Sequence, residues 1–183
     1  MELQGHRTIP ASRERTWAAL NDPEILKGCI AGCESLQFTG PDTLQAQLAV
    51  RIGPVSARFK GNLRLVDVKA PVSYSMQFDA NGGVAGFGKG ATTVELVSVG
   101  PRETTLKYAA KAQVGGKLAQ VGSRLIDAAA SKITEDFFVA FESRLREEAG
   151  LAPVEEVAPP ENRLLMWALS ALVILAAAYA VWR

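Results

Sequence analysis

Residues 117–148 read KLAQVGSRLIDAAASKITEDFFVAFESRLREE, and in them Leu118, Val121, Leu125, Ala129, Ile133, Phe137, Phe141 and Leu145 recur at steps of three or four. That spacing puts apolar side chains along one stripe of a helix, so one long amphipathic helix is predicted. Arg124 with Asp127, and Lys132 with Glu135 or Asp136, are spaced for ion pairs on its wet face. The stripe needs a partner surface, and the preceding residues supply one.

Upstream the period is two. Leu44, Ala46, Leu48, Val50 and Ile52 alternate with polar or small residues, and Gly53-Pro54 breaks the run. Val55, Ala57, Phe59, Gly61, Leu63 and Leu65 then alternate with Ser56, Arg58, Lys60, Asn62 and Arg64, giving one apolar and one strongly polar face. Tyr74, Met76, Phe78 and Ala80 continue the pattern, and further strands are predicted at 91–99 and, past the turn GPRE, at 104–114. Near the N-terminus, ELQGHRTIPA suits a strand, Ser12 suits the cap of a short helix SRERTWAALN, and Asp22-Pro23 starts a second, PEILKGCI. The order is strand, two short helices, an antiparallel meander and one long helix. This is an α+β arrangement in which the last helix covers the apolar face of a curved sheet.

At 183 residues and 48% hydrophobic content the chain suits one domain with an appendage. We divide it into a domain at 1–149, a Pro-rich acidic linker at 150–163 and a C-terminal membrane anchor at 164–183. Residues 164–182 carry no charged side chain, and as a helix they would reach roughly 28 Å, close to the hydrocarbon thickness of a bilayer. Trp167, Tyr179 and Trp182 stand where interfacial aromatics would, and the linker would reach about 40 Å if extended. Arg144, Arg146 and Arg163 precede the run and only Arg183 follows it, so the domain is expected to face the cytoplasm.

The mixed charge, net +1, leaves no footprint for nucleic acid. Cys29 and Cys33 lack the four-ligand set of a structural zinc site, so no metal is expected, and MELQGHRTIP has no signal-peptide pattern. With His6 as the single histidine and no Gly-x-Ser-x-Gly elbow, a hydrolase triad has no parts to work with, and no catalytic residue is assigned. Cys29 and Cys33 read as packing residues, and Arg51, Arg58, Lys60 and Arg64 as a solvated face or a docking surface for an acidic partner. The stretch GGVAGFGKG lacks phosphate-loop spacing and precedes a strand, so it reads either as a bulged hairpin or as a cavity-rim loop. In the rim reading, Gly82, Gly83, Gly86, Gly88 and Gly90 supply unusual backbone angles and Phe87 stands at the mouth.

Bulky Phe137, Phe138 and Phe141 give way to Gly122, Ala128, Ala129 and Ala130 in the middle of the helix. Small residues opposite a curved sheet would leave an apolar space for a ligand, unless Phe59, Tyr74, Met76 and Phe78 fill it. The cavity residues expected are Leu48, Phe59, Tyr74, Met76, Phe78, Phe87, Leu125 and Ala129.

Four stretches, AALNDPEILKGCIAGCESL, IGPVSARFKG, GGVAGFGKG and QVGGKLAQVGSRLI, together resemble the CoxG family, named for the CoxG subunit of carbon monoxide dehydrogenase, within the START/Bet v 1-like (SRPBCC) superfamily. The resemblance covers about residues 1–148. It implies a helix-grip fold around a hydrophobic cavity and an accessory role beside a molybdenum-containing carbon monoxide dehydrogenase or related molybdenum hydroxylase. Joined to the predicted anchor, it leads to the expectation of a non-enzymatic module at the cytoplasmic membrane that docks this partner and binds a lipid or an isoprenoid quinone. A scaffold without ligand and a cyclase-type cavity enzyme are the alternatives.

Overall fold

Ser12 starts the first helix, its hydroxyl accepting from the Arg15 N–H at 3.2 Å. Thus β1 (Glu2–Ile9) is followed by α1 (Arg13–Leu20). Asp22 repeats the device, accepting from the N–H groups of Glu24 and Ile25 at 2.9 and 3.3 Å, and α2 (Pro23–Cys29) begins on Pro23. There follow β2 (Cys33–Gly40), β3 (Thr43–Ile52), β4 (Val55–Lys69), β5 (Ser73–Asn81), β6 (Phe87–Gly100), β7 (Glu103–Gly115) and the long α3 (Ser123–Glu148). This is a computed structural model, and it describes residues 1–150.

The strands form one antiparallel sheet in the order β1-β7-β6-β5-β4-β3-β2, so the first strand closes the meander by pairing with the last. The result is the predicted α+β helix-grip arrangement, a seven-stranded sheet with the C-terminal helix against it.

Three local readings change. β2 is an added strand; only Leu36 is buried along it, so CESLQFTG carries no periodic signal. β6 starts at Phe87 rather than Ala91, because Gly88 and Gly90 have no side chains to mark a period. The helix starts at Ser123 rather than Lys117, because Gly116 and Gly122 take φ values of +75° and +92°, and a short 3-10 turn at Ala119–Val121 lies between them. Leu118 therefore leaves the helical stripe and packs with Phe59 and Ala85. Ile126 is buried while Leu125 is 50% exposed, a shift of one residue in the helix phase. On the wet face, Lys132 reaches Asp136 at 2.8 Å.

The core is divided. Phe138, Phe141 and Leu145 of α3 pack with Ile9, Ala19, Leu96 and Leu106, and Thr104 within this end donates its hydroxyl to the Ala11 carbonyl at 2.8 Å. A second cluster joins Leu36, Leu44 and Ala46 with Leu26, Ile30, Leu63 and Leu65, and the third holds Phe59, Ala85 and Leu118. Among the described residues no helix is long and apolar enough to cross a membrane. The linker beyond Gly150 and the anchor assigned to 164–183 lie outside the described residues.

Candidate functional site

The antiparallel register sets inward side chains in rows across the sheet. One row runs Leu65, Met76, Thr92, Ala110, Leu3; the next runs Tyr74, Val94, Tyr108, Gly5. Thr92 and Ala110 are short, so the first row leaves space under α3, which presents Ile133, Thr134, Phe137 and Phe138. Leu26 and Ile30 close the α2 side, and Leu36 and Phe38 close the β2 side. The cavity measures about 320 Å³, is partly open, and lies on the seam between the first two core clusters. Small-molecule sites begin at roughly this size. Phe38 and Ile133 line it yet remain 40% and 43% exposed, which places its opening beside them.

Its chemistry is nearly all apolar. Asn21, Thr92, Thr134 and the two tyrosines bring the side-chain polar groups, and among the described residues no Asp, Glu, His, Lys, Arg or Cys lines the wall. The Asn21 amide is used by the fold, donating to the Trp17 carbonyl at 2.8 Å. Tyr74 meets Trp17 edge to face at 5.6 Å, and burial pushes its phenol up to about 12. Tyr108 lies across Gly5, where a Cβ would stand 2.6 Å from its hydroxyl, and packs on Phe138 at 5.2 Å. Arg7 sits behind Phe138, its guanidinium 5.5 Å from the ring centre and paired with Glu135. A broader depression of about 1040 Å³ crosses the outer face of the sheet, but charged side chains at Arg64, Asp79, Lys89 and Lys111 stand around it and it is open to solvent.

Of the residues expected at a cavity, the structure brings Tyr74 and Met76 to its wall. Phe59 packs with Ala85 and Leu118 instead, and Leu48 stands opposite it on β3, outside the wall. The Phe78 ring lies over Gly90, whose Cβ would come within 2.8 Å of it. Phe87, 45% exposed, covers Gly115, and Leu125 and the half-buried Ala129 precede the stretch of α3 that faces the cavity. The difference on α3 is one of position along the helix: the stretch that borders the space is Ile133–Phe138, beyond Leu125 and Ala129.

The glycine loop lies apart from the cavity wall as well. Gly82 accommodates the Phe59 ring, Gly83 and Gly86 take φ of +61° and +120°, and Gly88 and Gly90 belong to β6. A side chain on Gly86 would meet the Gly115 carbonyl oxygen, so this loop locks β6 to the end of β7. Burial raises the thiol pKa of both Cys29 and Cys33, which disfavours the nucleophilic thiolate. Arg58 is tied to Glu34 at 2.7 Å, and His6 is exposed on β1. Leu26, Ile30, Leu36 and Phe38 were missing from the sequence-based set. The four-residue spacing of Leu26 and Ile30 on a short helix was the available signal, whereas β2 gave none.

The family model for CoxG, the carbon monoxide dehydrogenase subunit of that name, matches residues 5–146. A conserved protein from Geobacillus kaustophilus of known crystal structure is 30% identical, with 81% of this chain and 97% of that one covered and a TM-score of 0.76. A START superfamily protein from Mycobacterium smegmatis (16% identity, 80% and 98% covered, TM-score 0.63) shares the fold. So does the Zhui aromatase/cyclase from Streptomyces sp. R1128 (11% identity, 83% and 99% covered, TM-score 0.59). No curated protein matches the chain.

Proposed function

The chain belongs to the CoxG family of carbon monoxide dehydrogenase subunits, and from that premise we propose that it is a membrane-tethered binding module serving a molybdenum-containing dehydrogenase. The domain holds an isoprenoid quinone in its cavity and residues 164–183 hold the domain at the cytoplasmic membrane. The observation that carries the reading is the apolar, partly open cavity of about 320 Å³ between the sheet and α3. Among the described residues its lining supplies no carboxylate, imidazole, amine or thiol, which supports binding over acid–base or nucleophilic catalysis. Leu63, Leu65, Met76 and Phe137 match a hydrocarbon chain, and the opening at Phe38 and Ile133 gives a route for the remainder of a long ligand.

A cytoplasmic redox enzyme must pass electrons to a carrier that partitions into the bilayer. A cavity that lifts the carrier from the lipid, on a domain tied to the same membrane, brings acceptor and enzyme together. Deleting residues 164–183 is expected to move both this protein and the dehydrogenase from the membrane fraction to the soluble fraction. Dehydrogenase that remains on membranes after the deletion contradicts the tethering.

A further inference from the structure

Tyr74 is a half-buried polar residue of the cavity wall whose hydroxyl has no hydrogen-bond partner among the described residues. Its ring is fixed from one side by the edge of Trp17 at 5.6 Å and from the neighbouring strand by Val94, and it forms part of the cavity wall. Of the other polar lining groups, the Asn21 amide donates to the Trp17 carbonyl, the Tyr108 hydroxyl leans across Gly5 toward β1, and Thr92 and Thr134 bring short hydroxyls to the sheet and α3 walls. The apolar surroundings that desolvate the phenol raise it, and they strengthen any hydrogen bond it makes to a ligand. The group stays protonated at neutral pH and stands as a ready donor in apolar surroundings.

We propose that the Tyr74 hydroxyl is the polar recognition point of the cavity, donating a hydrogen bond to a carbonyl oxygen on the ligand's ring. The ring then lies at the α1 end of the cavity, near Trp17, and the hydrocarbon part leads past Met76 and Leu65 toward Phe38 and Ile133. This rests on the quinone-binding reading and adds to it the orientation of the ligand and the group that selects for it. It also makes the cavity favour, by about tenfold, ligands that carry such an acceptor over those that lack one.

The test is equilibrium binding of two probes, menadione and 2-methylnaphthalene, which share a methylated fused ring and differ in the two carbonyl oxygens. Wild-type full-length chain is expected to bind menadione about tenfold more tightly. Tyr74→Phe is expected to lower menadione affinity about five- to tenfold and leave 2-methylnaphthalene affinity unchanged, the second probe reporting that the cavity is intact. Equal menadione affinity in wild type and Tyr74→Phe overturns the assignment to Tyr74 while the binding reading stands. Failure of wild type to bind either probe removes that reading and the inference with it.

Discussion

Two apolar residues on α3, Phe141 and Ile133, separate the core that holds the fold from the wall that holds a ligand. Phe141 is fully buried, stacked on Phe137 at 5.6 Å with 16° between the rings, and packed among the first core cluster. Phe141→Ala is expected to cost about 3–5 kcal/mol, a large part of the stability of a domain this size. Ile133 is 43% exposed and borders the cavity. Since complete burial of such a side chain is worth about 1.5–3 kcal/mol, Ile133→Ala is expected to cost about 1 kcal/mol. In urea denaturation followed by far-ultraviolet circular dichroism, with a slope of about 2 kcal/mol per molar, the midpoints should fall by about 2 M and about 0.5 M. Saturating quinone should restore roughly 2–3 kcal/mol to wild type and Phe141→Ala, but much less to Ile133→Ala. Equal losses for the two variants, or equal rescue by quinone, would refute the division between core and cavity.

Burial raises the Tyr74 phenol from 10.0 to about 12, so the folded state holds its proton more tightly than the unfolded chain. The stability this conserves is complete below pH 10 and is lost as pH rises through 10 to 12; Tyr74→Phe should flatten that part of the denaturation profile. Glu142 is raised chiefly by desolvation, against the opposing pull of Arg7 and Arg146. Its ionisation therefore disfavours the fold above the ordinary carboxylate range, so Glu142→Gln should raise Tm at pH 7 and lose that advantage as the medium is acidified toward pH 3. Thr16 is fully buried with an unpartnered hydroxyl. Replacing it by valine should stabilise the domain by about 1 kcal/mol, measurable by the same urea titration, and a loss instead would mean that the hydroxyl is paired.

Much of the architecture was legible because its sources are local. Alternation in β3, β4 and β5 marked the inner face of the sheet, and Phe137, Phe141 and Leu145 marked the helix that grips it. The cavity was less legible because it depends on which stretch of α3 borders it. Two glycines at positive φ, Gly116 and Gly122, postpone the start of α3, so a stripe read through Leu118, Val121 and Leu125 points to the wrong part of the sheet. The space between elements is then set by which residues meet across them, Thr92 and Ala110 opposite Ile133 and Phe137, and pairing of that kind is not written in any one segment. Tyr74 and Met76 were legible because they share the alternation of one regular strand, while Leu36 and Phe38 sit on an edge strand with no period.

The most direct measurement is mass spectrometry of organic extracts from the protein, purified gently from a quinone-producing host as the full chain and as residues 1–150. The account predicts close to one isoprenoid quinone per chain in both preparations, because the cavity lies wholly within the described domain. Quinone absent from both would contradict it, leaving the domain without the ligand on which the proposed electron transfer depends.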